Sequence, residues 1–432
     1  MPYGLVRFGV APDHGDTKAA SHKFERLAAD SRVGLLCGVE AGRHVSLTSL
    51  RSRYHAVVLA HGAPAERPLG VPGEALPGCL PARAFVEWYN GHPDAAPASA
   101  DVAAALRAGP TALVLGLGNV AVDCARMLLR PPSELAGTDI AAPALEALRA
   151  SAVRRVLLVG RRGPAQASFT PKELRELLGL PGVHVTADEA QLTTDLAAED
   201  HAELATHRPR RRALDEIIKA TQRPPPPGAD RELRLLFLRS PAAVLPTDAM
   251  AGVAAAPPRV GAVRLQAMRL EGAAGARSAV PTGAFETLPC SLVLSSIGYR
   301  GAPLPEVPFH AATGTVPHDA GAVRAAGPGL YAAGWAKRGP TGIIGTNLQC
   351  AEETVATLAA DVKARLLPPP SAPGGVAELA RLAREAGARP VSLAGWLRID
   401  AAERAAGAAQ GRPRDKATDW ERMLQLAGED DA

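Results

Sequence analysis

Aromatic residues are scarce in this chain of 432 residues, at 4% of the sequence. Large rings therefore supply little of the core, and Ala, Leu and Val have to fill it, since hydrophobic residues make up 47% of the chain. The five cysteines lie far apart, with no C-x-x-C pair. That spacing argues against a disulfide framework, a zinc site, a redox dithiol or an iron–sulfur cluster held by this chain, and favours reduced thiols in a reducing compartment.

Long hydrophobic runs and a strong charge of one sign are missing too. No apolar run approaches the roughly 20 residues of a membrane span, and the opening MPYGLVRFGVAPDHGD has the features of neither a signal peptide nor a transit peptide. The net charge of +4 is mild and does not by itself indicate nucleic acid. Because the chain is longer than one hydrophobic core usually serves, we expect a globular protein of two domains.

The most informative local pattern is TALVLGLGNVAVDCAR, residues 111–126. Its apolar run breaks at two glycines and then resumes, which predicts a buried strand, a tight turn and a helix. Gly116 permits the turn, Gly118 lets the backbone approach a pyrophosphate, and Ala121 lets the helix pack on the strand. Free N–H groups and the positive end of the helix dipole would then face the phosphates. Taken alone, the pattern is equally compatible with a structural turn.

A second buried strand is predicted by VRRVLLVGRRG, residues 153–163, which ends in Arg161 and Arg162. In a dinucleotide fold the end of the second strand reaches the adenosine ribose. An acidic residue there would accept from a 2′-hydroxyl, whereas arginines suit a 2′-phosphate. The pair therefore favours NADP(H) over NAD(H). The alternative is a solvated pair of charges at a strand end.

Two further patterns follow along the chain. Thr170, Pro171 and Glu173 together predict a helix start with a capping box. HRPRRR, residues 207–212, is a basic cluster leading into a helix predicted over residues 213–221. A proline interrupts the cluster and no aromatics interleave with it, which argues against a platform for single-stranded nucleic acid. A solvated cationic helix face is the plain alternative.

The domain organisation is indicated by two glycine-marked crossings, at residues 62–81 and around residues 295–300. They flank one middle block, and a second strand–glycine–helix unit lies beyond them at residues 330–360. This arrangement predicts one domain inserted into another.

Taken together, the ordered motifs resemble the mitochondrial-type ferredoxin–NADP reductase family, from Pro2 nearly to the end of the chain. They are PYGLVRFGVAPDH, AFVEWYNG, GNVAVDCAR, LVGRRGP, FTPKELREL, RSP, VLSSIGY, GLYAAGWAKRGPTGIIGT and RPVSLAGW. The resemblance implies an α/β fold with two Rossmann-like dinucleotide-binding domains, the NADP domain being inserted into the FAD domain. We expect the FAD domain at residues 1–64 and 300–432, and the NADP domain at residues 65–299.

The resemblance also implies an activity: NADPH passes a hydride to FAD, and single electrons then go to an acidic [2Fe–2S] ferredoxin. The family serves P450, heme or iron–sulfur pathways. The resemblance implies a location at the matrix side of the mitochondrion, and the cytoplasm is the alternative location. It further implies a monomer without a transmembrane segment, at most peripheral at a membrane. Two alternatives stay open. One is a non-catalytic product that keeps NADP(H) or ferredoxin binding; the other is an electron-input module of the glutamate-synthase kind, which usually carries cysteine clusters.

Site residues carry over from the family motif by motif. The NADP contacts would be Leu117, Gly118, Asn119, Val120, Arg161, Arg162 and Glu173, and the FAD contacts Leu5, Ala41, Trp335, Gly342, Ile343 and Ile344. His14 and Asp123 correspond to a hydrogen-bonded pair near the redox centre, with a suggested proton route. The docking arginines would be Arg175, Arg208 and Arg212, and no metal ligands are implied.

One departure concerns the flavin. The family carries a strand–G-x-G-x-x-G–helix unit for FAD upstream of P-x-G-L-V-R-F-G, and this sequence opens at Met1-Pro2-Tyr3. We therefore expect a truncated FAD domain with exposed apolar faces, weak or no FAD binding, and poor solubility.

Overall fold

The computed structural model describes residues 2–247, 258–342 and 344–428. Its strands are β1 (Leu36–Cys37), β2 (Val57–Leu59), β3 (Ala65–Glu66), β4 (Cys79–Pro81), β5 (Thr111–Leu115), β6 (Arg155–Val159), β7 (Val183–Ala187), β8 (Arg231–Leu236), β9 (Arg239–Pro246), β10 (Val260–Glu271), β11 (Ser278–Pro289), β12 (Leu292–Ser295), β13 (Tyr299–Arg300), β14 (Leu330–Ala332) and β15 (Val391–Ser392).

The helices alternate with these strands through the middle of the chain. They are α1 (Gly4–Phe8), α2 (Gly15–Lys18), α3 (Ser21–Ala28), α4 (Leu47–Arg53), α5 (Ala82–Tyr89), α6 (Ser99–Ala108), α7 (Asn119–Leu129), α8 (Pro132–Leu135), α9 (Ala142–Arg149), α10 (Pro171–Leu178), α11 (Glu189–Leu192), α12 (Ala198–Thr206), α13 (Arg208–Thr221), α14 (Trp335–Arg338), α15 (Ile344–Lys363), α16 (Val376–Glu385), α17 (Leu393–Ala408) and α18 (Trp420–Ala427). Across the described ranges, no helix combines the length and the apolar character that crossing a membrane requires.

The central sheet has the strand order β4-β12-β5-β6-β8-β7, and every neighbouring pair is parallel. β5 is buried along its whole length, and β6 is buried after its first residue. A parallel strand is covered on both faces, which is why both sequences read as unbroken apolar runs. The expected α/β class is confirmed by this sheet.

Different layers cover the two faces of the sheet. On one face, helices including α5, α6, α7 and α13 build the large core, in which Leu106, Val122 and Ile217 are fully buried. On the other face lies an antiparallel sheet of order β11-β10-β9, which packs Val263 and Leu265 against Leu113 and Leu157. The unit built around the central sheet is therefore a three-layer structure, with its loops gathered at the sheet edges.

The two crossings between the halves of the chain lie side by side. β3 and β13 pair antiparallel, with Tyr299 opposite Glu66, and Arg67 donates its backbone N–H to Gly298. The chain thus leaves the middle block beside the place where it enters.

The outer segments of the chain pair with each other. β2 runs parallel to β14, and β1 runs antiparallel to β15. Helix α1 is fixed to α17 by a buried ion pair, since Arg7 donates to both carboxylate oxygens of Glu403 at 2.7 and 2.8 Å. Much apolar surface stays exposed on α15, where Leu348, Val355 and Val362 recur every seven residues and are 63%, 59% and 54% exposed.

Several elements differ from the sequence expectations. β7, β9 and β11 were not predicted; β9 and β11 contain proline or glycine, and they form because the long strand β10 supplies pairing partners on both sides. The polar stretch from Lys18 to Ala29, whose composition favours one helix, contains the last residue of α2 and then the separate helix α3. Helix α13 begins at Arg208 rather than at residue 213, so the basic cluster is its first turns.

Candidate functional site

The glycine turn lies at the carboxyl edge of the parallel sheet, between three strand ends. Gly116 donates its N–H to Val159 at 2.7 Å, and Ser296 donates to Leu115 at 2.7 Å. Gly116 has φ +130°, and a Cβ there would stand 2.1 Å from the carbonyl oxygen of Ser296. Only glycine therefore lets the ends of β5, β6 and β12 converge. In open α/β sheets, ligands bind at this edge.

Helix α7 begins directly after this turn, with Gly118 at its N-cap. The first N–H groups of a helix have no partner within it, so they and the positive end of the dipole are available to an anion. Ala121 is fully buried on the core side. Leu117 lies over Gly160, where a Cβ would stand 2.1 Å from its Cδ1. The predicted strand–turn–helix is confirmed in this geometry.

Asn119 links the turn to helix α10. Its Oδ1 accepts the backbone N–H of Thr170 at 2.7 Å, while the Thr170 hydroxyl accepts from the N–H of Glu173 at 3.5 Å. Only half of the expected capping box forms, because Asn119 has taken the N–H that Glu173 would accept. The Glu173 carboxylate is thereby free to turn toward His14, and its Oε2 lies 3.7 Å from His14 Nε2.

The structure brings His14, Asp123 and Glu173 together, with one side-chain atom of each within 4.8 Å of the others. Their hydrogen bonds nevertheless differ from the expected His14–Asp123 pair. His14 Nε2 bonds to Glu176 Oε2 at 2.7 Å, and Asp123 Oδ1 accepts from Arg126 at 2.7 Å. Burial raises the pKa of Asp123 more than the neighbouring Arg126 lowers it.

Sequence reasoning missed three residues of this cluster: Asp13, Arg126 and Glu176. Arg126 is 1% exposed and contacts both Asp13 and Asp123, and Asp13 also contacts Arg130. Helix spacing was the available signal, because Arg126 lies three residues after Asp123 and Glu176 three residues after Glu173. The contact to Asp13 joins residues more than a hundred positions apart, which no local pattern reveals.

The expected flavin contacts are spread over several elements. Trp335 begins α14 and stacks on Tyr299, with ring centroids 5.8 Å apart. Its indole Nε1 is buried and has no hydrogen-bond partner among the described residues. Leu5 lies exposed on α1, Ala41 bridges to Val45, and Gly342 is exposed with φ +80°. Ile343 lies outside the described residues; Ile344 begins α15, but its side chain is not among those described.

Positive charge gathers on one side of this edge. Arg161 and Arg162 are exposed directly after β6, and Arg175 is exposed on α10, which packs against α13. Arg208 and Arg212 are exposed one turn apart at the start of α13. The charges of Arg208 and Arg212 add to the positive end of the α13 dipole. This repulsion destabilises the helix, and the combined positive charge attracts an anion more strongly.

A parallel sheet with a glycine turn and an open helix N-terminus at its carboxyl edge defines a dinucleotide-binding α/β protein. Comparison with known proteins gives the particular family. The chain is 45% identical to human mitochondrial NADPH:adrenodoxin oxidoreductase over 436 residues, covering 99% of this chain and 85% of the relative. The Arabidopsis thaliana protein of the same name is 43% identical over 438 residues, covering 99% and 88%.

Bacterial relatives agree with this result. The NADPH-ferredoxin reductase FprA of Mycobacterium tuberculosis is 40% identical over 432 residues, covering 98% of this chain and 90% of the relative. The solved structure of FprA in complex with NADPH matches with a TM-score of 0.87, covering 99% of this chain and 90% of that one. No family model matched the chain. The chain belongs to the NADPH:adrenodoxin oxidoreductase and NADPH-ferredoxin reductase family, which confirms the resemblance and the fold it implies.

The glycine turn provides a test of this edge. Replacing Gly116 with Ala forces a Cβ against Ser296 at positive φ, so we expect a loss of at least about 2 kcal/mol in unfolding free energy and weaker dinucleotide binding. Gly137→Ala is the matched control, because a Cβ there meets nothing within 4 Å, and it should change stability by less than about 0.5 kcal/mol. Denaturant unfolding and NADPH titration measure both; equal stability of the two variants would contradict the packing described.

Proposed function

We propose that this chain is a FAD-dependent NADPH:ferredoxin oxidoreductase. When bound, FAD supplies the conversion between a two-electron hydride donor and single-electron delivery, and the protein binds, orients and charge-balances the cofactors. The observation that carries the proposal is the dinucleotide edge around Gly116 and Arg161, in a chain that matches the NADPH complex of FprA over 99% of its length. The electron acceptor would be an acidic [2Fe–2S] ferredoxin, and the enzyme a monomer.

The residues at this edge fit NADP(H). The open N-terminus of α7 suits the pyrophosphate, and the guanidinium groups of Arg161 and Arg162 suit the 2′-phosphate. Glu173 extends from α10 toward His14, on the side where the N-terminal segment contacts α7 and α10. This is the side on which we place the nicotinamide.

The remaining flavin-side residues fit an aromatic ring system with polar edges. The unpartnered indole N–H of Trp335 can donate to a ligand acceptor, and Tyr299 stacks behind the indole. Gly342 comes shortly before α15, whose positive end can stabilise negative charge. We place the boundary between the two cofactor domains at the β3–β13 ribbon, close to the expected residues 64 and 300.

Two measurements test the function directly. The purified protein should show flavin absorbance, and it should reduce cytochrome c in the presence of NADPH only when ferredoxin is added. A protein that holds flavin but reduces nothing through ferredoxin would contradict the proposed activity.

A flavin-free binding protein is the second candidate. The observation in its favour is the exposed apolar surface of the flavin side, formed by Val58 on β2 and by Leu348, Val355 and Val362 on α15. An incompletely covered domain of this kind would hold FAD weakly. In that case the protein would bind NADP(H) or ferredoxin without flavin absorbance, and stoichiometric flavin would rule it out.

For the compartment we propose the matrix side of the mitochondrion, with the cytoplasm as the alternative. Mitochondrial relatives support the first, and the bacterial FprA relative supports the second. Fractionation of the source cells distinguishes the two.

The twin arginines should decide the choice of cofactor. Arg161→Ala and Arg162→Ala each remove charge-assisted hydrogen bonds to a 2′-phosphate, so we expect the affinity for NADPH to fall about tenfold or more and that for NADH to stay unchanged. Arg154→Ala, just before the opposite end of the same strand, is the control and should leave both affinities unchanged. Equal losses for NADPH and NADH would show that the arginines do not read the 2′-phosphate.

The carboxyl of Asp123 should contribute to the pH dependence of turnover. Its pKa is raised by burial; Arg126 and His14 act in the opposite direction, and Asp13 and the nearby Glu173 carry like charge. We expect the pH profile of NADPH oxidation to contain an ionisation above the ordinary range of an aspartate. Asp123→Asn should remove it, because the amide does not titrate. Unchanged turnover and an unchanged profile in this variant would remove Asp123 from the mechanism.

The basic face should govern reaction with ferredoxin. Exchanging both Arg208 and Arg212 for Gln should raise the KM for ferredoxin about fivefold or more at low salt and flatten its dependence on ionic strength. Arg107→Gln on α6, which packs against α9 and β12, is the control and should do neither. Wild-type rates independent of ionic strength would argue against electrostatic docking.

A further inference from the structure

One arginine of the basic cluster differs from its neighbours in burial. Arg208, Arg211 and Arg212 are exposed, whereas the side chain of Arg210 is 29% exposed. The helix period explains the difference, because Arg210 precedes the buried residues Ala213, Leu214 and Ile217 by three, four and seven positions. Arg210 therefore lies on the inward face of α13.

That face packs against the loop that carries the twin arginines. Residues Pro164–Gln166 form a short 3-10 turn just beyond Arg162, and both α12 and α13 pack against this turn. Arg210 Nη1 lies 3.4 Å from Oε2 of Glu203 on α12, and Gln166 Nε2 donates to the same oxygen at 3.2 Å. Arg210 and the turn after Arg162 thus share one acceptor.

This acceptor is a single, deeply buried carboxylate. Glu203 is 5% exposed, and its other oxygen accepts the backbone N–H of Gly275 at 2.8 Å. The neighbouring carboxylate belongs to Asp200. Its Oδ1 lies 2.6 Å from Nη1 of Arg277 and accepts a hydrogen bond from Nε2 of Gln166 at 2.7 Å. Among the described residues, these two carboxylates form ion pairs with Arg210 and Arg277, and neither pairs with Arg161 or Arg162.

The charge balance points to an anion. Burial, and then the charges of Arg161 and Arg210, lower the pKa of Arg162, while Glu203 raises it. Neighbouring guanidinium groups repel one another, and a dianion that binds between them removes this repulsion. A 2′-phosphate carries such a charge at neutral pH.

We propose that Arg210, held from behind by Glu203, is a third arginine of the 2′-phosphate site and a determinant of specificity for NADP(H) over NAD(H). The proposal rests on the proposed function, because it assumes that the twin arginines receive this phosphate. It divides the basic cluster into two roles: Arg210 faces the cofactor, and Arg208 and Arg212 face outward.

Binding of nucleotide fragments to the full chain tests this assignment without any need for turnover. Isothermal titration compares 2′,5′-ADP, which carries the 2′-phosphate, with 5′-AMP, which lacks it. We expect Arg210→Ala to weaken 2′,5′-ADP about tenfold and to leave 5′-AMP within about twofold. Arg211→Ala, the exposed neighbour, should leave both ligands within about twofold. A merely structural role of Arg210 would weaken both ligands together.

The other outcomes separate this proposal from the proposed function. If Arg161→Ala loses 2′,5′-ADP while Arg210→Ala behaves like Arg211→Ala, the assignment of Arg210 is wrong and the NADP(H) site stands. If the wild-type chain binds 2′,5′-ADP no better than 5′-AMP, both are wrong. Thermal unfolding checks that each variant folds, and Arg210→Gln, which keeps a donor toward Glu203, gives the same comparison if the alanine variant does not.

Discussion

A buried guanidinium holds the arrangement of this site together. Arg126 lies almost wholly out of solvent between Asp13 of the N-terminal segment and Asp123 of its own helix. A buried charge is tolerated only when it is paired, so the ion pair of Arg126 with Asp13 helps to hold the N-terminal segment against α7. The same contact places His14, the next residue along the chain, beside Glu173 and Glu176.

This constraint explains why the candidate redox cluster lies where two parts of the chain meet. α7 starts at the glycine turn, so whatever is fixed to α7 is also fixed relative to the dinucleotide edge. α10 is fixed to the same turn by Asn119, which accepts from Thr170. Glu173 and His14 are thus positioned from two directions, by rigid elements rather than by a flexible loop. Such positioning is what transfer between two bound cofactors requires of a protein.

The arginines at the start of α13 lie in two different environments. Positive charge at a helix N-terminus is unfavourable with respect to the helix dipole. The charge of Arg210, on the inward face, is compensated by Glu203, whereas Arg208 and Arg212 are exposed to solvent. One short sequence, HRPRRR, therefore presents arginines on two different sides of a helix. The side that each arginine faces follows from the point at which the helix begins, and that point was placed five residues too late from the sequence.

The sequence by itself determined the strand–turn–helix around Gly116, the buried strand before Arg161 and the family, because each depends on local periodicity, on glycine stereochemistry or on ordered motifs. It did not determine β9 and β11, whose prolines and glycines are overridden by pairing with β10. Nor did it determine the partners of His14 and Asp123, since Glu176 bonds to the ring nitrogen of His14 and Arg126 donates to Asp123. Long-range ion pairs depend on which charges burial brings together, and only the tertiary structure decides that.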